Sequence, residues 1–119
     1  MRSDEPIPGL RALLGAGVYT SVPGILPASL REGMASVRGI TAASADAVLR
    51  LADWCRTVTF IKPTRSPVAA LRGRANVTIL HGAEIVCVDG IGRLECIVVR
   101  QIHTGTVSAH TAAALFLLP

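Results

Sequence analysis

The sequence predicts an α+β fold in which one long helix packs against an antiparallel sheet. Three observations carry this. Residues 37–55 (VRGITAASADAVLRLADWC) are small or aliphatic almost all round, with Asp46, Arg50 and Asp53 confined to one stripe by spacings of four and three. After them the chain turns to β-branched and apolar runs bounded by Pro, Gly and Asn. With 119 residues it is long enough for one core, so it is read as a single domain over 1–119 with 1–7 as a loose leader.

The elements follow in order. Residues 8–14 suit a short helix, with Pro8 near its first turn and Gly15 past its end. Residues 16–26 read as irregular or briefly extended, with a turn at Pro23-Gly24. Ser29-Leu30-Arg31-Glu32 matches a capping box and predicts a helical turn. The long helix has Thr41 and Ser44 as N-cap candidates, just after Gly39. Residues 57–62 (TVTFIK) predict a strand stopped by Pro63, and residues 66–73 fit either a helical turn or a strand. Strands are predicted over 76–80 and 83–88 around a His81-Gly82 turn, over 94–102 after the Asp89-Gly90-Ile91-Gly92 turn, and over 106–118 after Thr104-Gly105. A C-terminal helix through AAALFLL is the alternative for the last.

Composition narrows the function classes. The formal net charge is +4, from 12 basic and 8 acidic residues, and the excess is not a dense run. Few aromatics interleave with it, so a nucleic-acid partner is not expected. Charged residues make up only 17%, which favours a surface partly covered by another subunit. The uncharged segments 12–30 and 101–119 are broken by Gly and Pro or alternate in polarity, so no membrane span is expected. Asp4 and Glu5 do not suit a signal peptide, and Cys55, Cys87 and Cys96 form no CxxC, so free thiols in a reducing cytoplasm are expected. His81, His103 and His110 are too scattered for a metal motif.

Some residues carry a family pattern. Gly39 is followed seven positions later by Asp46. Gly92-Arg93-Leu94 precedes one predicted strand, Gly105-Thr106-Val107-Ser108-Ala109-His110 precedes another, and the chain closes on AALFLLP. This resembles the hotdog-fold thioesterases of the PaaI-like acyl-CoA type. The family's His and first Gly at the helix start fall here on Val37 and Arg38, so the motif is degenerate. The resemblance implies a curved antiparallel sheet wrapped around the helix and hydrolysis of an acyl-CoA thioester. Asp46 would be the general base or nucleophile, and the helix start at Gly39–Thr41 the oxyanion site. Thr64 or Ser66 would position the water. The substrate's CoA moiety, the only cofactor-like group implied, would lie on Lys62, Arg65, Arg72 and Arg74. A homodimer or homotetramer would complete the site. A non-catalytic hotdog-like binding or assembly subunit is the alternative. The residues themselves leave two further readings open: Asp46 as the i+4 partner of Arg50, and the basic run as a solvated loop.

Overall fold

A computed structural model describes residues 7–118; residues 1–6 of the expected leader lie outside them. Helix α1 (Leu10–Leu13) and strand β1 (Val18–Tyr19) are followed by β2 (Met34–Arg38), α2 (Ala42–Ala52), β3 (Thr57–Lys62), β4 (Val77–His81), β5 (Ala83–Asp89), β6 (Cys96–Gln101), β7 (Val107–Thr111) and β8 (Ala114–Leu117). Short 3₁₀ turns cover Ala28–Leu30 and Ala69–Leu71.

Two sheets form. One has five strands in the order β1-β8-β2-β3-β4, and every neighbouring pair in it is parallel. The other is an antiparallel meander, β5-β6-β7. Parallel neighbours need a crossover, and α2 supplies the one between β2 and β3.

The parallel sheet is covered on both faces. On one, Val37, Val58, Phe60 and Phe116 pack with Val48, Leu51 and Ala52 of α2. On the other, Val18, Ile61 and Leu115 pack with Ile85, Val88, Ile97 and Val99 of the meander. Adjacent residues such as Phe60-Ile61 and Leu115-Phe116 are therefore both buried, the pattern of a strand with no solvent face. The meander buries one face only. A register shift between Ile85 and Cys87 moves the inward residue from Ile85 to Val88, as a bulge does.

This overturns the expected hotdog fold, because no antiparallel sheet wraps a central helix. The expected helix over 37–55 is shorter at both ends. Val37 lies in β2, fully buried, and Thr41 caps a helix that begins at Ala42. The Thr41 side chain accepts a hydrogen bond from the Ser44 N–H at 3.3 Å, which confirms one of the two cap candidates. The last predicted strand divides into β7 and β8, which belong to different sheets. The acyl-CoA partner and the shared active site of a homodimer or homotetramer rested on the hotdog resemblance and lose their basis with it. No helix among the described residues is long and apolar enough to cross a membrane.

Candidate functional site

In an open parallel sheet, ligands bind beyond the C-terminal ends of the strands, where the chain order reverses. Here the order reverses at β2: the chain goes to β3 and β4 on one side and returns as β8 on the other. A crevice of about 460 Å³ lies at that edge, lined by Thr20 after β1, Arg38, Gly39 and Ile40 at the end of β2, Pro63 after β3, and Leu117 and Leu118 at the end of β8. A smaller cavity of about 270 Å³ shares Thr20 and Leu118 and reaches Ala43 and Ser44 in the first turn of α2.

The larger cavity of about 550 Å³ near Met34, Leu94 and Ala113 lies where strands begin. The helix dipole and the strand ends favour the other edge.

The local chemistry at the crevice follows from the turn between β2 and α2. Gly39 is buried and its N–H donates to the Ile61 carbonyl at 3.3 Å, tying the turn to β3. Ser44 is fully buried, and its hydroxyl donates to the Thr41 carbonyl at 2.6 Å. The first turn of α2 holds no acidic residue to oppose an anion at the positive end of the helix. Arg38 is exposed at the mouth, and Ile40 stands 60% exposed beside it.

The expected site residues are not brought together. Asp46 is exposed on α2 and has no ion pair or side-chain hydrogen bond among the described residues. Arg50 does not pair with it; its guanidinium donates to the carbonyls of Pro23 and of Gly24, the latter at 2.6 Å. Thr64 and Ser66 have their hydroxyls 3.1 Å apart on the exposed loop after β3. The basic run splits. Lys62 is only 4% exposed at the end of β3 and donates to the Ser66 carbonyl. Arg65 packs over Gly82 after β4. Arg74, at the far end, pairs with Asp53 at 3.0 Å, and Arg72 lies exposed near it. Of the expected residues, Gly39 and Ile40 line the crevice and Thr41 completes the turn beside it, while Lys62 and Arg65 lie outside its lining, on either side of Pro63 in sequence. Sequence reading missed Arg38 because it placed 37–55 in one helix, and missed Thr20 and Leu117 because they come to the crevice only through the pairing of β1 and β8. A strand ending one residue before Gly39 was the signal available. It also missed His81, which is paired in register with Lys62; the His81 Nδ1 is buried and has no hydrogen-bond partner among the described residues.

The three cysteines form no disulfide. Cys55 is buried beneath α2, and burial pushes its thiol above the ordinary value. Cys87 pairs in register with Val98 and Cys96 with Asp89, which makes them diagonal neighbours, and all three thiols are free. No group of three or more potential metal ligands occurs among the described residues.

An open parallel sheet with a crossover helix, a crevice at its reversal point and a meander on its second face defines a Rossmann-like α/β fold. Solved structures agree. The chain is similar to a thioredoxin reductase from Lactococcus lactis (TM-score 0.83, 18% identity, 99% of this chain and 41% of that one). It is similar to another from Gloeobacter violaceus (TM-score 0.81, 21% identity, 98% and 37%). A ferredoxin-flavin thioredoxin reductase from Clostridium acetobutylicum also matches (TM-score 0.73, 15% identity, 100% and 38%). At these identities the likeness establishes the fold, and the chain spans about two fifths of the length of these structures. No family model and no curated protein matches the sequence. These neighbours replace the thioesterase reading: none of these three is a thioesterase, and the folds differ in strand direction.

The dinucleotide that this fold class implies is not matched by the turn. The class places glycines at the first, third and sixth positions of the strand–helix turn, with Ala also accepted at the sixth. Counted from the end of β2 these positions are Gly39, Thr41 and Ser44. The first fits, the last is small and buried, and the middle carries a β-branched side chain.

Proposed function

We propose that the chain forms a ligand-binding domain of the kind built into flavoprotein thiol–disulfide reductases, and that its own task is to hold a phosphorylated ligand in the crevice over Arg38–Ile40. The observation that carries this is the position of that crevice, at the reversal point of the parallel sheet and beside the start of α2. Charge supports it: Arg38 lines the crevice, Arg65 lies on the neighbouring loop, and no Asp or Glu occurs between Asp53 and Glu84.

Thiol–disulfide exchange is not assigned to this chain. That reaction passes through a thiolate attacking a disulfide sulfur, with a second thiol close enough to resolve the intermediate. Cys55 is buried with a raised thiol, and Cys87 and Cys96 sit on non-partnered register positions. Three unpaired thiols support a reducing cytoplasmic setting.

The test is a titration of the isotope-labelled chain with adenosine monophosphate, followed by amide chemical shifts. Shifts concentrated at Thr20, residues 38–43 and residues 117–118, weakening with added salt, are the expected result. Shifts scattered over the meander, or none at millimolar nucleotide, would remove the site.

A further inference from the structure

Dinucleotides meet this fold across their diphosphate. It rests on the helix start, and the glycine at the middle position of the turn lets the backbone come close to it. Thr41 occupies that position. It is the N-cap of α2, with extended backbone (φ −97°, ψ 166°), so the chain needs no glycine there for conformational reasons. Its side chain turns back on the helix, and its Oγ1 accepts the Ser44 N–H at 3.3 Å. The same N–H also donates to the Thr41 carbonyl at 3.2 Å, so this first-turn donor is engaged by the chain itself through both backbone and side chain. The Cβ and Cγ2 of Thr41 add bulk where the class requires none. Both effects act together, since the rotamer that caps the helix keeps the side chain at the turn.

The far side of the crevice departs from the NAD form of this class only, since a nearby Arg is how the class receives the 2′-phosphate of NADP and Arg65 follows β3 here. In NAD sites of this class an acidic residue, about twenty positions on, takes the ribose 2′-hydroxyl. Here the end of β3 is Lys62, which is 4% exposed, with its ammonium committed to the Ser66 carbonyl. Thr41 thus narrows the diphosphate cradle, and no ribose carboxylate stands at the end of β3 among the described residues. What the crevice retains is one exposed guanidinium, Arg38, and an apolar wall of Ile40, Pro63, Leu117 and Leu118.

We infer that Thr41 closes the helix start to the diphosphate of a dinucleotide, and that the crevice takes a phosphate monoester carried on a flat apolar body. A terminal phosphate presents several free oxygens to the Arg38 fork from outside the turn and needs no close backbone approach. The apolar wall receives the rest of the ligand. This inference rests on the proposed crevice, and Thr41 decides which ligands enter it.

Calorimetry with adenosine monophosphate, NAD⁺ and NADP⁺ on the wild type, Thr41→Gly and Thr41→Ala tests it. The wild type should bind the monophosphate at least about tenfold more tightly than either dinucleotide. Thr41→Gly, which removes both the cap and the Cβ, should raise dinucleotide affinity by about tenfold and change monophosphate affinity little. Thr41→Ala loses the cap and keeps the Cβ, and should not gain the full effect, which separates bulk from capping. Thermal melts of both variants establish that they are folded before titration. Wild-type affinity for NAD⁺ or NADP⁺ equal to or above that for the monophosphate would overturn the inference and leave the crevice standing. No heat and no shift with any of the three would remove the crevice reading and the inference with it.

Discussion

At the residue scale, Thr41 shows how one side chain serves folding while setting the chemistry of a turn. Its cap satisfies an orphan N–H of α2. Thr41→Ala is expected to lower stability by about 0.5–2 kcal/mol, and Thr41→Gly by only a few tenths. Urea denaturation of the two variants beside the wild type measures this, and no loss in Thr41→Ala would mean that the hydroxyl contributes nothing. Cys55 gives a second residue-scale prediction. Its thiol is pushed up by burial from the ordinary value of 9.0. As pH rises through that value the unfolded chain loses its thiol proton first. The stability due to the neutral buried thiol is therefore complete below 9.0 and declines as pH climbs toward the raised folded value. The wild type should lose stability above 9.0 more steeply than Cys55→Ala. Parallel urea-midpoint curves for the two proteins would show that other groups cause the decline.

Elements illustrate where local pattern is a sufficient guide and where it is not. Strand β3 runs from Thr57 to Lys62, the limits its composition and Pro63 predict. Phe60 within it is buried against α2. Phe60→Ala should cost about 3–5 kcal/mol in chemical denaturation, since transfer and cavity terms add. A loss below about 1 kcal/mol would mean the core collapses around the gap. Gly17 is the point where the loop before β1 passes the meander. Its φ is +119°, and an added Cβ would lie 2.5 Å from the Leu94 Cβ. Gly17→Ala should therefore destabilise by roughly 2 kcal/mol or more, from backbone strain and overlap together. An unchanged melting temperature would contradict that close approach. Arg50 belongs to this scale as well: it binds the carbonyls of Pro23 and Gly24 and so ties the loop beneath the crevice to α2.

Across the whole molecule, one sheet shares its two faces between α2 and the meander, so neither layer has a core of its own. Val37, Phe60 and Phe116 serve one side while Val18, Ile61 and Leu115 serve the other. The layers should unfold together. Trp54, whose indole N–H donates to the Pro27 carbonyl at 3.1 Å beside the guanidinium of Arg31, reports the α2 side by fluorescence. Its transition in urea is expected to coincide with that of far-ultraviolet circular dichroism, which sees both sheets. Separate midpoints would mean that the meander is an independent unit.

What the sequence by itself determined is local. The strand content after residue 57, the turns at His81-Gly82, Asp89-Gly90 and Thr104-Gly105 and the Thr41 cap all follow from short-range stereochemistry, whereas the expected Ser29–Glu32 capping box does not form: the 3₁₀ turn Ala28–Leu30 has Pro27 at its start and no side-chain cap. Strand direction does not. A β-branched run pairs in either sense, and only a crossover such as α2 returning its chain beside β2 makes the partner parallel. Reading Val37 and Arg38, the end of β2, as the start of the helix removed that crossover, and with it the reversal point where the crevice lies. Small residues such as Ala35 and Ser36, next to an alanine-rich helix, carry weak strand propensity, and burial on both faces outweighed it. The division of residues 106–118 between two sheets was likewise a tertiary outcome, because Ala112 bonds to Glu95 of the meander side and Ala113 to Met34 of the parallel sheet. Arg38, Gly39 and Leu117 meet at one edge because parallel pairing puts the ends of β2 and β8 side by side, a juxtaposition of residues almost eighty positions apart that no local pattern contains.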